Sequence, residues 1–200
     1  MKRIALLALL ALPLAAFANQ VDTTNSGGTL VGTTAGMTLS GSQLMAINGF
    51  HGGGLITGNL GSLTLSTGTL SGGSLQMGGT FNGGGTFVIT STGAPGLPSG
   101  TLFNGSFSGA VTWTLVTLAN GTHNYTLSGA VSGTWYNGLV LNGATTQLTI
   151  NTGRGFFNGS TSISSGDTNI VTSVPEPGTL GLLGTGLVGI AGAMHRKFKS

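Results

Sequence analysis

The 200 residues carry six basic and three acidic side chains and no cysteine, which excludes a disulfide framework and any thiol chemistry. Five of the six cations (Lys2, Arg3, Arg196, Lys197 and Lys199) lie at the two ends, so the sequence pI of about 9.8 describes the termini. The body keeps Arg154 against Asp22 and Asp167, has no basic patch, and so excludes nucleic acid as a partner.

In chain order, Met1-Lys2-Arg3 is a positive n-region and Ile4 to Phe17 an apolar h-region interrupted by Pro13. Ala16-Phe17-Ala18 is a small-x-small cleavage site, so residues 1–18 read as a secretory signal peptide and the mature chain begins at Asn19. Residues 19–173 then form a Gly/Thr/Ser/Asn-rich body, long enough to bury one ordinary core without covalent staples. Asn19 to Gly28 is polar and is expected to be loose. Ser42 to Ile47 could form at most a turn or two of helix, and helical signals are otherwise nearly absent.

The body reads as all-β. Apolar residues alternate with Thr and Ser in Leu60–Ser66, Gly85–Thr90, Val111–Val116 and Gln147–Asn151, each of strand length. Asn-Gly pairs start at Asn48, Asn82, Asn104, Asn120, Asn137, Asn142 and Asn158, and each is a hairpin cue. For the hairpin at Asn120-Gly121, a two-residue turn would set Trp113 opposite Ser128, mixing apolar with polar. A three-residue loop, Ala119-Asn120-Gly121 with Gly121 left-handed, instead sets Val111, Trp113 and Leu115 opposite Gly129, Leu127 and Tyr125, and is the predicted register. Pro95 and Pro98 mark a connection between two strand groups, and Ser164 to Ser173 reads as a tether. The predicted architecture is an antiparallel, jelly-roll-like β-sandwich. A β-solenoid is the alternative, because Ser108-Gly-Ala-Val111 recurs at Ser128-Gly-Ala-Val131.

Chemistry-bearing side chains in the body are few: His51, His123, Asp22, Asp167, Arg154, Tyr125 and Tyr136. No metal-ligand motif or nucleophile elbow occurs, so no catalytic residue, cofactor or metal is assigned and the chain is expected not to be an enzyme. A hydrolase would need Asp22 and Asp167 to converge in one cleft. His51 adjoins Gly52-Gly53-Gly54 and reads as part of a glycine-rich turn, His123 as a strand residue after a turn, and Arg154 as a solvated cation. Trp135 and Tyr136, just before Asn137-Gly138, are the candidates for stacking on sugar rings, whereas Trp113 belongs to the core by alternation. Strands with almost no charge leave their edges open to pairing, so self-association is a further expectation.

The last element is the most specific. Pro175 and Pro177 stiffen Val174-Pro175-Glu176-Pro177 into an extended strip. Thr179 to Met194 carries no charge and, as a helix, spans about 24 Å at ~1.5 Å per residue, a little short of the roughly 30 Å hydrocarbon core, a gap that Arg196, Lys197 and Lys199 can close by snorkelling. Arg196, Lys197 and Lys199 follow as a basic tail expected to stay cytoplasmic. Gly184-Thr-Gly186-Leu-Val-Gly189 matches a dinucleotide pattern in letters only, since no strand precedes it.

This order of parts over residues 174–200 resembles the PEP-CTERM sorting domain of Gram-negative, exopolysaccharide-producing bacteria. The resemblance implies export across the inner membrane, a precursor anchored by a single transmembrane helix at residues 179–194, and processing at or near Pro175-Glu176-Pro177 by an exosortase. The expected function is that of a structural protein of the cell surface or of an extracellular, biofilm-associated matrix. Carbohydrate binding to exopolysaccharide through Trp135 and Tyr136 is the alternative.

Overall fold

The computed structural model describes residues 19–172, which form one compact unit. The segments read as a signal peptide, a Pro-Glu-Pro motif, a transmembrane helix and a basic tail all lie outside the described residues. No helix among the described residues is long and apolar enough to cross a membrane.

Thirteen antiparallel strands make up the unit. They are β1 (Asn19–Ser26), β2 (Thr29–Thr33), β3 (Gly36–Asn48), β4 (Ile56–Ser66), β5 (Leu70–Ser74), β6 (Gly78–Phe81), β7 (Gly84–Thr92), β8 (Ser99–Phe107), β9 (Val111–Thr117), β10 (His123–Trp135), β11 (Val140–Asn151), β12 (Ser160–Ser162) and β13 (Ser165–Thr172). Eight of them close into a ring, β1-β3-β4-β7-β8-β10-β11-β13 and back to β1. The protein is therefore a closed antiparallel barrel, which corrects both the sandwich and the solenoid. Alternation fixes one buried face per strand, and a sandwich or a barrel satisfies that equally well. What decides between them is the pairing of the first strand with the last, which no local pattern encodes.

The segments expected to be loose are those that close the ring. Asn19–Ser26 is β1 and Ser165–Thr172 is β13, and they pair from Asn19↔Thr172 to Asn25↔Gly166. The segment read as a possible helical turn, Ser42 to Ile47, lies inside strand β3. The loop holding Pro95 and Pro98 joins two neighbouring barrel strands, β7 and β8, and does not divide strand groups.

Two strands of 13 residues shape the molecule. One edge of β3 pairs first with β2 and then with β1, and one edge of β10 pairs first with β9 and then with β8. Two wings therefore extend the barrel at the end distant from residues 19 and 172, one of β2 and β12, the other of β9, β6 and β5. Bending such strands around a barrel takes bulges. The β10–β11 register shifts between Val131 and Ser132, leaving Gly143 unpaired at φ +130°, a backbone conformation that favours glycine. Among the described strands only β5 and β12 pair on a single side. Ring closure thus removes most of the edges that so few charges would leave unguarded.

Inward positions hold the apolar core, including Leu39, Leu44, Leu63, Phe87, Ile89, Phe103, Leu127 and Leu148. Phe87 meets Phe103 and Phe107 edge-on at 5.9 and 6.0 Å. Burying each such side chain contributes roughly 1.5–3 kcal/mol. Outward positions carry Thr, Ser, Gln and Asn. Apolar in and polar out is the reverse of a lipid-facing barrel.

The predicted β9–β10 register holds. Leu115 faces Tyr125 and Trp113 faces Leu127. The loop Ala119-Asn120-Gly121 is closed by the Leu118–Thr122 pair, and Gly121 takes φ +79°. Trp113 is buried and stacks on Tyr125 at 4.8 Å. Its Nε1–H donates to Leu75 O at 2.7 Å and the Tyr125 hydroxyl donates to Gln76 O at 2.6 Å, tying β9 and β10 to the β5–β6 connection. Of the seven Asn-Gly pairs, those at Asn104 and Asn142 lie inside β8 and β11. There the surrounding pairings override the turn preference.

Candidate functional site

Side chains with chemistry gather in three places. The first is the barrel end where residues 19 and 172 emerge. Asn48-Gly49 turns the chain out of β3 into a single 3-10 turn, Phe50–Gly52, in which His51 takes φ 53°. That left-handed conformation costs roughly 1–2 kcal/mol in a residue with a Cβ. Neighbouring contacts hold it in place: His51 stacks on Phe50 at 4.5 Å, and its Nε2 shares a hydrogen bond with the Tyr136 hydroxyl. Across from it, Asn137-Gly138 reverses the chain between β10 and β11, with Gly138 N–H donating to Trp135 O at 2.8 Å.

This hairpin separates the fates of the two candidate stacking residues. Trp135 is 5% exposed and packs between Phe50 at 5.9 Å and Phe103 at 6.4 Å, so it forms part of the barrel wall and offers no free face to a sugar. Tyr136 is 36% exposed, lies 5.5 Å from Phe50, and is the ring that reaches the surface. Phe50 and His51 complete this cluster. Their sequence context, a turn followed by three glycines, carried no signal that they would meet residues 85 positions away.

The second place is the side of the barrel. Asp22 pairs with Asn169, and Asp167 with Thr24, so the two acids of the body sit diagonally on adjacent strands and point outward. Such diagonal neighbours are about 7–8 Å apart. Asn169 Nδ2 donates to Asp22 Oδ1 at 2.7 Å, Gln20 Nε2 donates to the same oxygen at 3.0 Å, and the Thr24 hydroxyl donates to Asp167 Oδ1 at 2.9 Å. Both acids line a surface depression of ≈ 650 Å³ with Thr145, Gln147, Asn169, Ser128 and Thr112. The convergence that a hydrolase would require therefore exists. The rest of its lining carries no charged side chain.

The third place is the winged end. His123 is buried, its Nδ1 shares a 3.0 Å hydrogen bond with the Thr117 hydroxyl, and its ring stacks on Phe156 at 4.3 Å. Arg154 stands exposed in the adjoining turn. Among the described residues no three His, Asp or Glu side chains come together as a metal site would need.

Together these observations define the class: a small closed β-barrel, filled by side chains, with few charges on its outside. Residues 173–197, which follow the last barrel strand without an intervening linker in the sequence, match the PEP-CTERM protein-sorting motif, so the chain carries that sorting signal. The motif marks it as an exported protein whose membrane-anchored precursor is processed by an exosortase. No curated protein matches the chain, and no solved structure matches it.

Proposed function

We propose that the protein is a non-enzymatic structural component of the cell surface or of an extracellular matrix of the biofilm type, built by a Gram-negative bacterium. On this reading residues 1–18 direct export and Val174-Pro175-Glu176-Pro177 is the processed strip. Residues 179–194 hold the precursor in the inner membrane, with Arg196, Lys197 and Lys199 on the cytoplasmic side. The supporting observation is a side-chain-filled barrel that runs, at Thr172, directly into the sorting motif. An interior packed with apolar side chains and a surface that carries few charges, both among the described residues, suit a component made to persist outside the cell. Intact-mass measurement of the protein from cells with and without the exosortase tests this. The expected result is a chain shortened at both ends in the first case and at the N-terminus alone in the second. An unshortened tail in both would leave a simple membrane anchor.

Saccharide recognition is the second reading, and the polar depression beside Asp22 and Asp167 favours it over the Trp135 and Tyr136 pair. Each carboxylate uses one oxygen within the barrel and keeps the other as an acceptor for sugar hydroxyls. Co-sedimentation with purified exopolysaccharide, lost in Asp22→Asn with Asp167→Asn and kept in Tyr136→Ala, is the outcome this reading expects. Loss in Tyr136→Ala alone would return recognition to the barrel end.

A further inference from the structure

The barrel end at which residues 19 and 172 emerge is ringed by exposed apolar side chains. Leu55 is 65% exposed, Val140 63%, Leu139 39% and Tyr136 36%. Tyr136, Leu139 and Val140 come from one hairpin, held by the Trp135 N–H to Leu139 O bond at 2.9 Å and by Tyr136 N–H to Leu102 O at 2.7 Å. Leu55 ends the loop that begins with Phe50 and His51, whose rings lean on Tyr136. The rim is thus carried on strand ends and a braced aromatic cluster.

Two further facts say what covers it. First, the three loops of this end, 49–55, 93–98 and 136–139, contain no Asp, Glu, Lys or Arg, so removing them from water desolvates no carboxylate, ammonium or guanidinium group. Second, the sorting motif begins at residue 173, and Thr179, where the uncharged run read as the anchor starts, is seven residues beyond Thr172. At no more than about 3.6 Å per residue, that chain spans at most about 25 Å. The occupant that short covalent leash favours is a lipid surface.

We propose that, in the anchored precursor, this rim rests in the interfacial layer of the bilayer, with Leu55, Leu139 and Val140 entering the headgroup–acyl boundary and Tyr136 at its polar margin. Apolar faces of peripheral elements bury about 5–10 Å into that boundary, and tyrosine suits it because its ring is apolar and its hydroxyl polar. Docking would hold the processed strip at a fixed height above the membrane. It would also present that strip to a membrane enzyme in a restricted set of orientations. The inference rests on the reading of residues 179–194 as a membrane anchor.

The two tryptophans supply the test, since Trp135 lies under this rim and Trp113 lies at the winged end. The full-length chain is reconstituted into vesicles of phosphatidylethanolamine and phosphatidylglycerol containing lipids brominated near the headgroup. The Trp113→Phe and Trp135→Phe variants report the two sites separately. Trp135 is expected to be quenched about twofold more than Trp113, given the short insertion depth. Leu139→Asp with Val140→Asp should abolish that difference, whereas Met77→Asp with Val116→Asp, at exposed apolar positions of the other end, should leave it. If Trp113→Phe does not fold, the wild-type chain is read instead, and the partial quenching should disappear with the Asp pair. Vesicle-bound protein with equal quenching of the two sites, or quenching unmoved by the Asp pair, overturns the docking. A full-length chain that does not partition into vesicles at all overturns the anchor reading on which it rests.

Discussion

The β9–β10 hairpin and the β1–β13 seam are both antiparallel pairs with one buried face, yet they are built from opposite materials. The hairpin joins residues separated by a three-residue loop and turns Trp113, Tyr125 and Leu127 inward. The seam joins residues about 145 positions apart, and much of its inner row is polar: Thr23, Asn25 and Thr168, with Thr146 and Ser42 from the flanking strands. Those groups satisfy one another. Thr146 and Thr168 share a 2.9 Å hydrogen bond, the Thr23 hydroxyl donates to Thr168 O at 3.4 Å, and Asn25 Nδ2 donates to Ser42 Oγ at 2.7 Å. Only Asn25 Oδ1 is buried without a partner among the described residues. The hairpin gains stability from apolar area; the seam closes the ring with hydrogen bonds whose net contribution is about 1 kcal/mol each.

That contrast can be broken in graded steps. Ending the chain at Ser164 removes β13, opens the ring and exposes the edges of β1 and β11; loss of the cooperative thermal transition is expected, while a chain ending at Thr172 keeps it. Circular dichroism melts read both. Trp113→Ala empties the hairpin core and removes the bond to Leu75 O, and should cost about 3–5 kcal/mol in denaturant unfolding.

At the seam, Thr146→Val leaves the Thr168 hydroxyl short of a partner and should cost about 1–3 kcal/mol. The double variant Thr146→Val with Thr168→Val should cost less than twice that, because replacing both partners leaves nothing unsatisfied. A double variant that is strictly additive in urea unfolding would mean that the pair does not act together. Smallest of all, Gly121→Ala forces an alanine into the left-handed position of the β9–β10 loop and should lower stability by about 1 kcal/mol, measured by the same unfolding curves.

These differences explain what the sequence could disclose. The β9–β10 register was legible because only one loop length gathers Trp113, Leu127 and Tyr125 on one face, and that choice needs no information from elsewhere in the chain. Asn19–Ser26 and Ser165–Thr172 read as loose ends in the sequence because their inward positions include Thr, Asn and Gly, so alternation of hydrophobicity fades where the partner is most distant. Without them the choice between sandwich and barrel had no anchor in the sequence. The candidate sites divide in the same way. The sorting motif is contiguous and was found whole. The side depression needs β1, β13 and β11 side by side, and Trp135 lost its role as a stacking surface once Phe50 came to cover it from a loop far away in the chain.

Ring closure by the first and last strands is the claim on which the rest stands, and hydrogen–deuterium exchange addresses it most directly. The account predicts that amides of residues 20–25 and 166–171 are protected to an extent comparable with those of residues 123–128, because all belong to one cooperative barrel. Exchange of both terminal segments at the rate of an unstructured peptide, with the β9–β10 hairpin still protected, would contradict it.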